Sequence, residues 1–163
     1  MNKDLTPGDI TYNPETKEFS GVLFSSKKHH WETPPEIYDP LHKAFKFTLD
    51  PCAEKSTAKC KKFYTAEDDG LKQDWSKETV FVNPPYSNIK EWVKKCHDSA
   101  YDGATVVMLI PARTDTRWFH EYIYHKAEIK FLKGRIKFII DGVIKDAAPF
   151  PSMLVIYKNM LPF

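Results

Sequence analysis

A strand–helix–strand pattern in the middle of the chain restricts the fold more than any other feature. Thr79–Val82 and Ala104–Ile110 are short apolar runs typical of strands buried on both faces. The segment between them has its apolar residues at helical spacing, and they are Ile89, Trp92, Val93, Cys96 and Ala100. Such a crossover joins parallel strands. The chain is therefore expected to form an open, mostly parallel α/β sheet with helices on both faces.

Further elements surround this unit. Thr33-Pro34-Pro35-Glu36 matches a capping box, with Thr33 as N-cap, and predicts a helix from about Pro34 to Phe45. A second amphipathic helix is predicted around Trp118–Ile123, with Trp118, Phe119, Tyr122 and Ile123 facing inward. The remaining strand candidates are Phe47–Leu49, Lys62–Thr65, Ile129–Phe131, Ile136–Ile140 and Met153–Tyr157.

Length and composition set the domain organisation. The 163 residues suffice for one domain, which we expect over residues 31–163, after an N-terminal arm over residues 1–30 that is partly ordered. We therefore expect no separate target-recognition domain. No run of residues is apolar enough to suggest a membrane span or a signal peptide, so a cytoplasmic location is expected. Three cysteines without a C-x-x-C pair indicate neither disulfides nor a metal site. Oligomeric state is left open between a monomer and a weak dimer.

Several polar residues each follow the carboxyl end of a predicted strand. Ligands of open α/β sheets bind beyond these strand ends. This rule predicts that a rim of the sheet carries Asp50, the acidic cluster Glu67–Asp69, Tyr86 and Arg113. The rim is therefore the predicted functional site.

The tetrapeptide Asn83-Pro84-Pro85-Tyr86 stands where a buried strand ends. Its two prolines fix φ and have no N–H, so they hold the chain in a rigid turn. The side-chain oxygen of Asn83 and the carbonyl of Pro84 can accept both hydrogens of an exocyclic amine, which helps to free its lone pair for attack on a methyl group. The ring of Tyr86 can stack on a planar substrate. These four residues are the predicted catalytic residues.

Asn83–Tyr86 resembles the signature of amino-methyltransferases, which take a methyl group from S-adenosylmethionine and act on adenine N6, cytosine N4 or a glutamine amide. Six blocks in order resemble the phage-type DNA N6-adenine methyltransferases of the Dam family, between about Ser25 and Tyr157. They are Trp31–Pro34, Leu49–Ala53, Glu67–Leu71 with Asp74-Trp75, Asn83–Tyr86, Ile110–Thr116 with Trp118–His120, and Ala148–Met153. The resemblance implies a Rossmann-like class I S-adenosylmethionine-dependent methyltransferase sheet.

The resemblance also implies a cofactor site. Thr33, at a helix N-terminus, would bind the methionine carboxylate, and Asp50 would accept the amino group. Asp69 most resembles the adenine-binding position of the family, which leaves Asp68 or Glu67 for the ribose. The predicted contacts are Trp31, Thr33, Asp50, Cys52, Asp68 and Asp69.

The cofactor side of the sheet is expected to be abbreviated. Only 33 positions separate Asp50 from Asn83, enough for one crossover unit rather than two. Cys52 follows a proline, as does the nucleophile of cytosine C5 methyltransferases, but it does not follow the catalytic strand. It is therefore interpreted as structural or cofactor-lining.

DNA is the predicted partner, and a base must leave the duplex to reach such a site. A segment with interleaved lysines, arginines and phenylalanines precedes the last strand, and Pro149–Ser152 forms a rigid loop. The predicted substrate contacts are Arg113, Arg117, Lys133, Arg135 and Phe150.

The formal charge is only +2, so it does not by itself indicate a nucleic acid. Two alternatives stay open. One is an amino-methyltransferase for cytosine N4, RNA or a glutamine amide. The other is a non-catalytic methyltransferase-like subunit that binds nucleic acid or a partner.

Overall fold

The structure is a computed structural model, and it describes residues 11–13, 18–20, 31–158 and 160. Within these residues, three helices accompany the strands. They are α1 (Pro35–Phe45), α2 (Ile89–Tyr101) and α3 (Arg117–Tyr122). The strands are β1 (Thr11–Asn13), β2 (Glu18–Ser20), β3 (Leu49–Asp50), β4 (Lys62–Phe63), β5 (Thr79–Val82), β6 (Thr105–Pro111), β7 (Glu128–Phe131), β8 (Ile139–Ile140), β9 (Val143–Ile144) and β10 (Ser152–Tyr157). Most of the predicted arm lies outside the described residues, apart from β1 and β2, which pair antiparallel.

The central sheet has the strand order β4-β3-β5-β6-β10-β7. Strands β4, β3, β5 and β6 run parallel, and β10 runs antiparallel to both of its neighbours. Val82 pairs with Met108 in the β5–β6 ladder, so the strand that leads into Asn83 lies beside β6, the longest strand of the sheet. The prediction of a mostly parallel sheet is confirmed.

Helices pack on both faces of this sheet, as predicted. Along β6, Val106, Met108 and Ile110 point into a core shared with α2 and α3. The alternate residues Val107 and Leu109 belong to a second core on the side of α1. This alternation explains why the β6 sequence is apolar without interruption, since both faces of the strand are covered.

Two local predictions are wrong. Helix α1 starts at Pro35 with Pro34 as its N-cap, and no side chain of a described residue caps it, so Thr33 is not the N-cap. Of the predicted strand Ile136–Ile140 only β8 forms, and it pairs with β9 outside the main sheet. The turn between them, Asp141-Gly142, has positive φ at both residues, which favours a tight two-residue hairpin over a continued strand.

The β3–β4 edge is short, as the spacing from Asp50 to Asn83 predicted. Both strands have two residues, and a 3₁₀ turn at Gly70–Lys72 lies on the path from β4 to β5. Gly70 packs directly on the turn after β3, because a Cβ there would lie 2.0 Å from the Pro51 carbonyl oxygen. Among the described residues no helix is long and apolar enough to cross a bilayer.

Candidate active site

The ends of four neighbouring strands meet at one rim of the sheet. Asp50 ends β3, Asn83 follows β5, and Arg113 follows β6 by two residues. Because β10 runs the other way, its first residues and the preceding Phe150 come to the same rim. The topology thus gathers sequence-predicted residues that are far apart in the chain.

Asn83 is held by its side-chain amide. The Nδ2 atom donates to the Trp31 carbonyl oxygen at 2.5 Å and to the Thr33 hydroxyl at 3.1 Å. A carbonyl can only accept, so the nitrogen of the amide must face Trp31, and the amide orientation follows from chemistry. The side-chain oxygen Oδ1 consequently lies on the opposite side of the amide, where it can accept hydrogen bonds.

The two prolines continue this turn, and Pro85 is in the extended conformation. Pro84 is buried, and Pro85 is exposed with φ −64° and ψ 139°. Tyr86 then opens a 3₁₀ turn that leads into α2. Burial raises the pKa of the Tyr86 phenol well above its ordinary value, while the nearby positive charge of Arg113 acts in the opposite direction. The phenol is therefore neutral at physiological pH.

A pocket of about 160 Å³ opens beside this turn. Residues from separate segments of the chain line it, and they are Tyr86, Ile89, Pro111, Arg113, Thr116, Trp118, Pro149 and Phe150. Cavities of roughly 150 Å³ hold a benzene ring, whereas drug-sized ligands occupy roughly 300–1,000 Å³. The pocket therefore suits a single planar ring system better than a whole nucleoside.

Aromatic rings form one wall of the site. Phe150 stacks on Trp31 with ring centroids 6.0 Å apart, and Tyr86 meets Phe150 edge to face at 5.3 Å. Phe138 also contacts the Trp31 ring, with centroids 5.2 Å apart. The structure thus brings together Trp31, Tyr86 and Phe150, which the sequence patterns assigned to three different roles.

The turn after β3 contacts the Asn83–Tyr86 turn directly. The Cys52 thiol donates to the Asn83 backbone carbonyl, with Sγ and O 3.3 Å apart. Burial raises the pKa of this thiol, with a further increase from the Asp50 charge, so it remains a protonated donor. Asp50 is buried, and its Oδ2 accepts from the backbone N–H of Lys59 at 3.0 Å.

The acidic segment after β4 makes mainly local contacts. The Asp68 carboxylate accepts from the backbone N–H and the hydroxyl of Thr65, and these bonds lower its pKa. Asp69 adopts a left-handed backbone with φ 52° and pairs with Lys72 at 3.2 Å. Through Gly70 the backbone of this segment packs on Pro51, in the turn that carries Asp50 and Cys52.

Of the predicted substrate contacts, Arg113 and Phe150 line the pocket and three others do not. Arg117 is 90% exposed in its side chain and lies 3.8 Å from Glu121 on the same helix. Lys133 and Arg135 are exposed in the segment between β7 and β8. Among the described residues no group of three or more His, Cys, Asp or Glu side chains is placed to hold a metal ion.

Sequence reasoning missed the residues that anchor Asn83 from a distance. Glu32 forms a reciprocal backbone pair with Ile139 and an ion pair with Lys59 at 2.7 Å. Lys59 also carries the N–H that reaches Asp50. Neither Glu32 nor Lys59 stands in a recognisable spacing to Asn83, so the sequence offered no signal for them.

Comparison with known proteins gives concordant results. Residues 21–162 match the family described as DNA N-6-adenine-methyltransferase (Dam). A DNA N-6-adenine-methyltransferase of Haemophilus phage HP1 (strain HP1c1) is 34% identical over 144 residues, which cover 85% of this chain and 83% of the phage protein. A DNA N-6-adenine-methyltransferase of Escherichia phage T1 is 34% identical over 137 residues, covering 79% of this chain and 58% of that protein.

Proposed function

Because this chain belongs to the DNA N-6-adenine-methyltransferase (Dam) family, we propose that it transfers a methyl group from S-adenosylmethionine to the N6 amine of adenine in DNA. One observation carries the mechanistic part of the proposal. The Asn83 amide has its nitrogen bonded to Trp31 and Thr33, so its oxygen is presented on the other side as an acceptor.

The catalytic turn would hold the target amine through its two hydrogens. Asn83 Oδ1 accepts one hydrogen and the Pro84 carbonyl accepts the other, which draws the nitrogen lone pair out of conjugation with the ring. The turn between them is rigid, because both prolines restrict φ. The amine nitrogen is thereby fixed and made more nucleophilic without a charged base.

The pocket supports adenine as the ring that carries this amine. Its volume fits one base, and Tyr86 and Phe150 provide aromatic surfaces at right angles to each other. Stacking on an aromatic side chain is worth about 1–3 kcal/mol per base. A base can reach the pocket only from a single strand or after flipping out of a duplex. Arg113 at the pocket, with exposed Arg117, Lys133 and Arg135, would contact the phosphates.

S-adenosylmethionine, when bound, supplies an electrophilic methyl group. The acidic side chains beside the β3 turn fit its chemistry, since Asp50 can accept from its amino group and Asp68 and Asp69 from the ribose hydroxyls and the adenine amine. Cys52 would line the same turn. Thr33 accepts from Asn83 but keeps its own hydroxyl hydrogen, which it can donate to the methionine carboxylate. Trp31 would cover the site with its ring.

The proposal is tested by methyl transfer from radiolabelled S-adenosylmethionine to unmethylated duplex and single-stranded DNA, followed by digestion to nucleosides. We expect label in N6-methyladenine. In Asn83→Ala the rate should fall about 100- to 1,000-fold, as when one preorganised hydrogen-bonding group is removed from an active site. Calorimetry should show that the variant still binds S-adenosylmethionine, because Asn83 is assigned to the amine.

Other outcomes of this experiment would contradict the proposal in different ways. Label in N4-methylcytosine, RNA or protein would indicate another amino-methyltransferase. Cofactor binding without label on these acceptors would contradict transfer to nucleic acid or protein, and failure to bind the cofactor would indicate a non-catalytic subunit. An Asn83→Ala variant as active as the wild type would remove Asn83 from the mechanism.

A further inference from the structure

We infer that the Trp31-Glu32-Thr33 segment positions the Asn83 amide, and that the site consequently requires asparagine rather than aspartate at position 83. The inference rests on the proposed function, because the amide orientation matters only if Asn83 Oδ1 holds the reacting amine. Trp31 and Thr33 act here as positioning residues, through Asn83, and touch none of the reacting atoms in this role.

Both hydrogens of the Asn83 amide have an acceptor in this segment. The Trp31 carbonyl oxygen lies 2.5 Å from Nδ2 and the Thr33 hydroxyl oxygen 3.1 Å. An amide rotated by a half-turn would place Oδ1 against the Trp31 carbonyl, where two acceptors would face each other without a hydrogen between them. Only one of the two amide orientations is therefore compatible with the surroundings, and that orientation presents Oδ1 as the acceptor.

The segment itself is fixed at three places. Glu32 and Ile139 exchange backbone hydrogen bonds of 2.9 and 3.1 Å. The Glu32 carboxylate pairs with the Lys59 ammonium at 2.7 Å, and both side chains are largely buried. Thr33 is 1% exposed. The acceptors that face Asn83 thus cannot easily move aside to accommodate another group.

A carboxylate at position 83 has no hydrogen for these acceptors. Its oxygen would meet the Trp31 carbonyl at the distance now bridged by a hydrogen bond, so the ionised form is repelled. A protonated carboxyl group can donate to Trp31 and still present its carbonyl oxygen to the amine. Only the protonated form of an Asn83→Asp variant should therefore be active.

The charged and titratable groups around position 83 do not favour an ionised carboxyl group there. Asp50, in the β3 turn, is close enough to act on the Cys52 thiol, and its negative charge would oppose ionisation of a second carboxyl group. The Glu32–Lys59 pair carries both signs of charge, and Arg113 acts on the Tyr86 phenol. Burial raises the pKa of both the Cys52 thiol and the Tyr86 phenol, so both stay neutral over the pH range of an assay.

The first test is the pH profile of kcat for Asn83→Asp, measured on the wild type's DNA substrate. We expect activity that rises about tenfold for each unit by which the pH is lowered above the pKa of the new carboxyl group, a dependence absent from the wild type. A purely structural role of Asn83 would not produce this profile. An Asn83→Asp variant with the activity and pH profile of the wild type would overturn the inference.

The second test compares Thr33→Val with Thr33→Ser. Valine has the shape of threonine without its acceptor, and we expect kcat to fall about 3- to 10-fold, the effect of one net hydrogen bond. Serine keeps the acceptor and should restore kcat. Thr48→Val is the matched control, because Thr48 bonds to Glu78 and Thr79 at the other end of the sheet. It should leave kcat of the folded protein unchanged.

The two proposals fail in different ways. A wild-type chain that methylates no DNA would overturn the proposed function and this inference with it. An active wild type with Thr33→Val at full kcat would overturn the inference alone. An active wild type in which Thr33→Val weakens only the affinity for S-adenosylmethionine would do the same and would assign Thr33 to the cofactor.

Discussion

The two halves of the rim are held in place by different kinds of contact. On the Asn83 side, the anchoring hydrogen bonds join residues 52 and 50 positions apart in the chain. On the side of β3 and β4, the side-chain bonds of Asp68 and Asp74 reach residues three and two positions away. The half assigned to the reacting amine is thus positioned by distant chain segments, whereas the half assigned to the cofactor is shaped by local turns.

One contact links the halves, and another holds the cofactor half together. The Cys52 thiol reaches the Asn83 carbonyl across the two halves, and Gly70 brings the acidic segment against Pro51 within the β3–β4 half. Local turns tolerate substitution wherever their own hydrogen bonds survive, but Gly70 leaves no room for a side chain against Pro51. Substitutions in each half, and at the contact between them, test this difference.

Gly70→Ala should have the largest effect. A Cβ 2.0 Å from the Pro51 carbonyl oxygen forces the backbone apart, and overpacking of this kind costs about 3 kcal/mol of the free energy of unfolding. Affinity for S-adenosylmethionine should fall as well, since Asp68 and Asp69 move with Gly70. Urea unfolding and calorimetry measure both quantities.

Gly134→Ala is the matched control for this change. Gly134 has a φ of 76°, and an added Cβ would meet none of the described atoms within 4 Å, so only the left-handed backbone is strained. The substitution should cost about 1 kcal/mol and leave cofactor affinity unchanged. Equal effects of the two substitutions would show that contact with Pro51 does not hold the edge in place.

Phe150→Ala should mainly affect the Asn83 side. The ring contacts both Trp31 and Tyr86, and each aromatic pair is worth about 0.5–1.5 kcal/mol. We expect kcat/KM for DNA to fall about tenfold, with cofactor affinity retained. Phe131→Ala removes an exposed ring outside the pocket and should leave kcat/KM unchanged. A loss of cofactor affinity in Phe150→Ala would contradict the division between the halves.

Cys52→Ala cuts the hydrogen bond between the halves. A thiol is a weak donor, so we expect about a threefold decrease in kcat, and Cys52→Ser should retain most of the activity because the hydroxyl also donates. Steady-state methylation assays measure both variants. If Cys52→Ser and Cys52→Ala lose activity equally, packing of the sulfur and not its hydrogen bond connects the halves.

Glu78→Gln should have the smallest effect and concerns the β3–β4 edge alone. Hydrogen bonds from Lys62 and Thr48 lower the pKa of Glu78, so its carboxylate stabilises the fold at pH values above about 4.3, the pKa of an unfolded glutamate. Lys62 is half exposed, and the substitution should cost about 0.5 kcal/mol at neutral pH. The difference from the wild type should vanish as the pH falls through the lowered pKa of Glu78. Urea unfolding at neutral pH and at a pH below that pKa checks this, and a difference that persists in acid would contradict it.

Sequence analysis predicted the elements that are indicated by adjacent or regularly spaced residues. Helix α2, strand β5 and strand β6 follow from apolar spacing, and the turn Asn83–Tyr86 is recognisable from four adjacent residues. The capping box at Thr33 failed although its spacing was correct. Pro34 itself is the N-cap of α1, while the Thr33 hydroxyl is used by Asn83.

Contacts between distant segments could not be predicted. The pairing of Trp31 with Asn83 depends on the whole sheet between them, and nothing in either segment specifies the other. The hairpin β8–β9 was missed for a different reason: Ile136 and Phe138 are buried like strand residues, yet the Asp141-Gly142 turn withdraws the next residues from the sheet.

Strand β10 has a consequence for how the protein is made. It lies between β6 and β7 in the sheet but comes after both in the chain. During synthesis, β6 and β7 emerge from the ribosome with their facing edges unpaired, and such edges attract other strands. The sheet closes only when residues up to Tyr157 have emerged, so we expect the rim that carries Asn83 to reach its final arrangement late in synthesis.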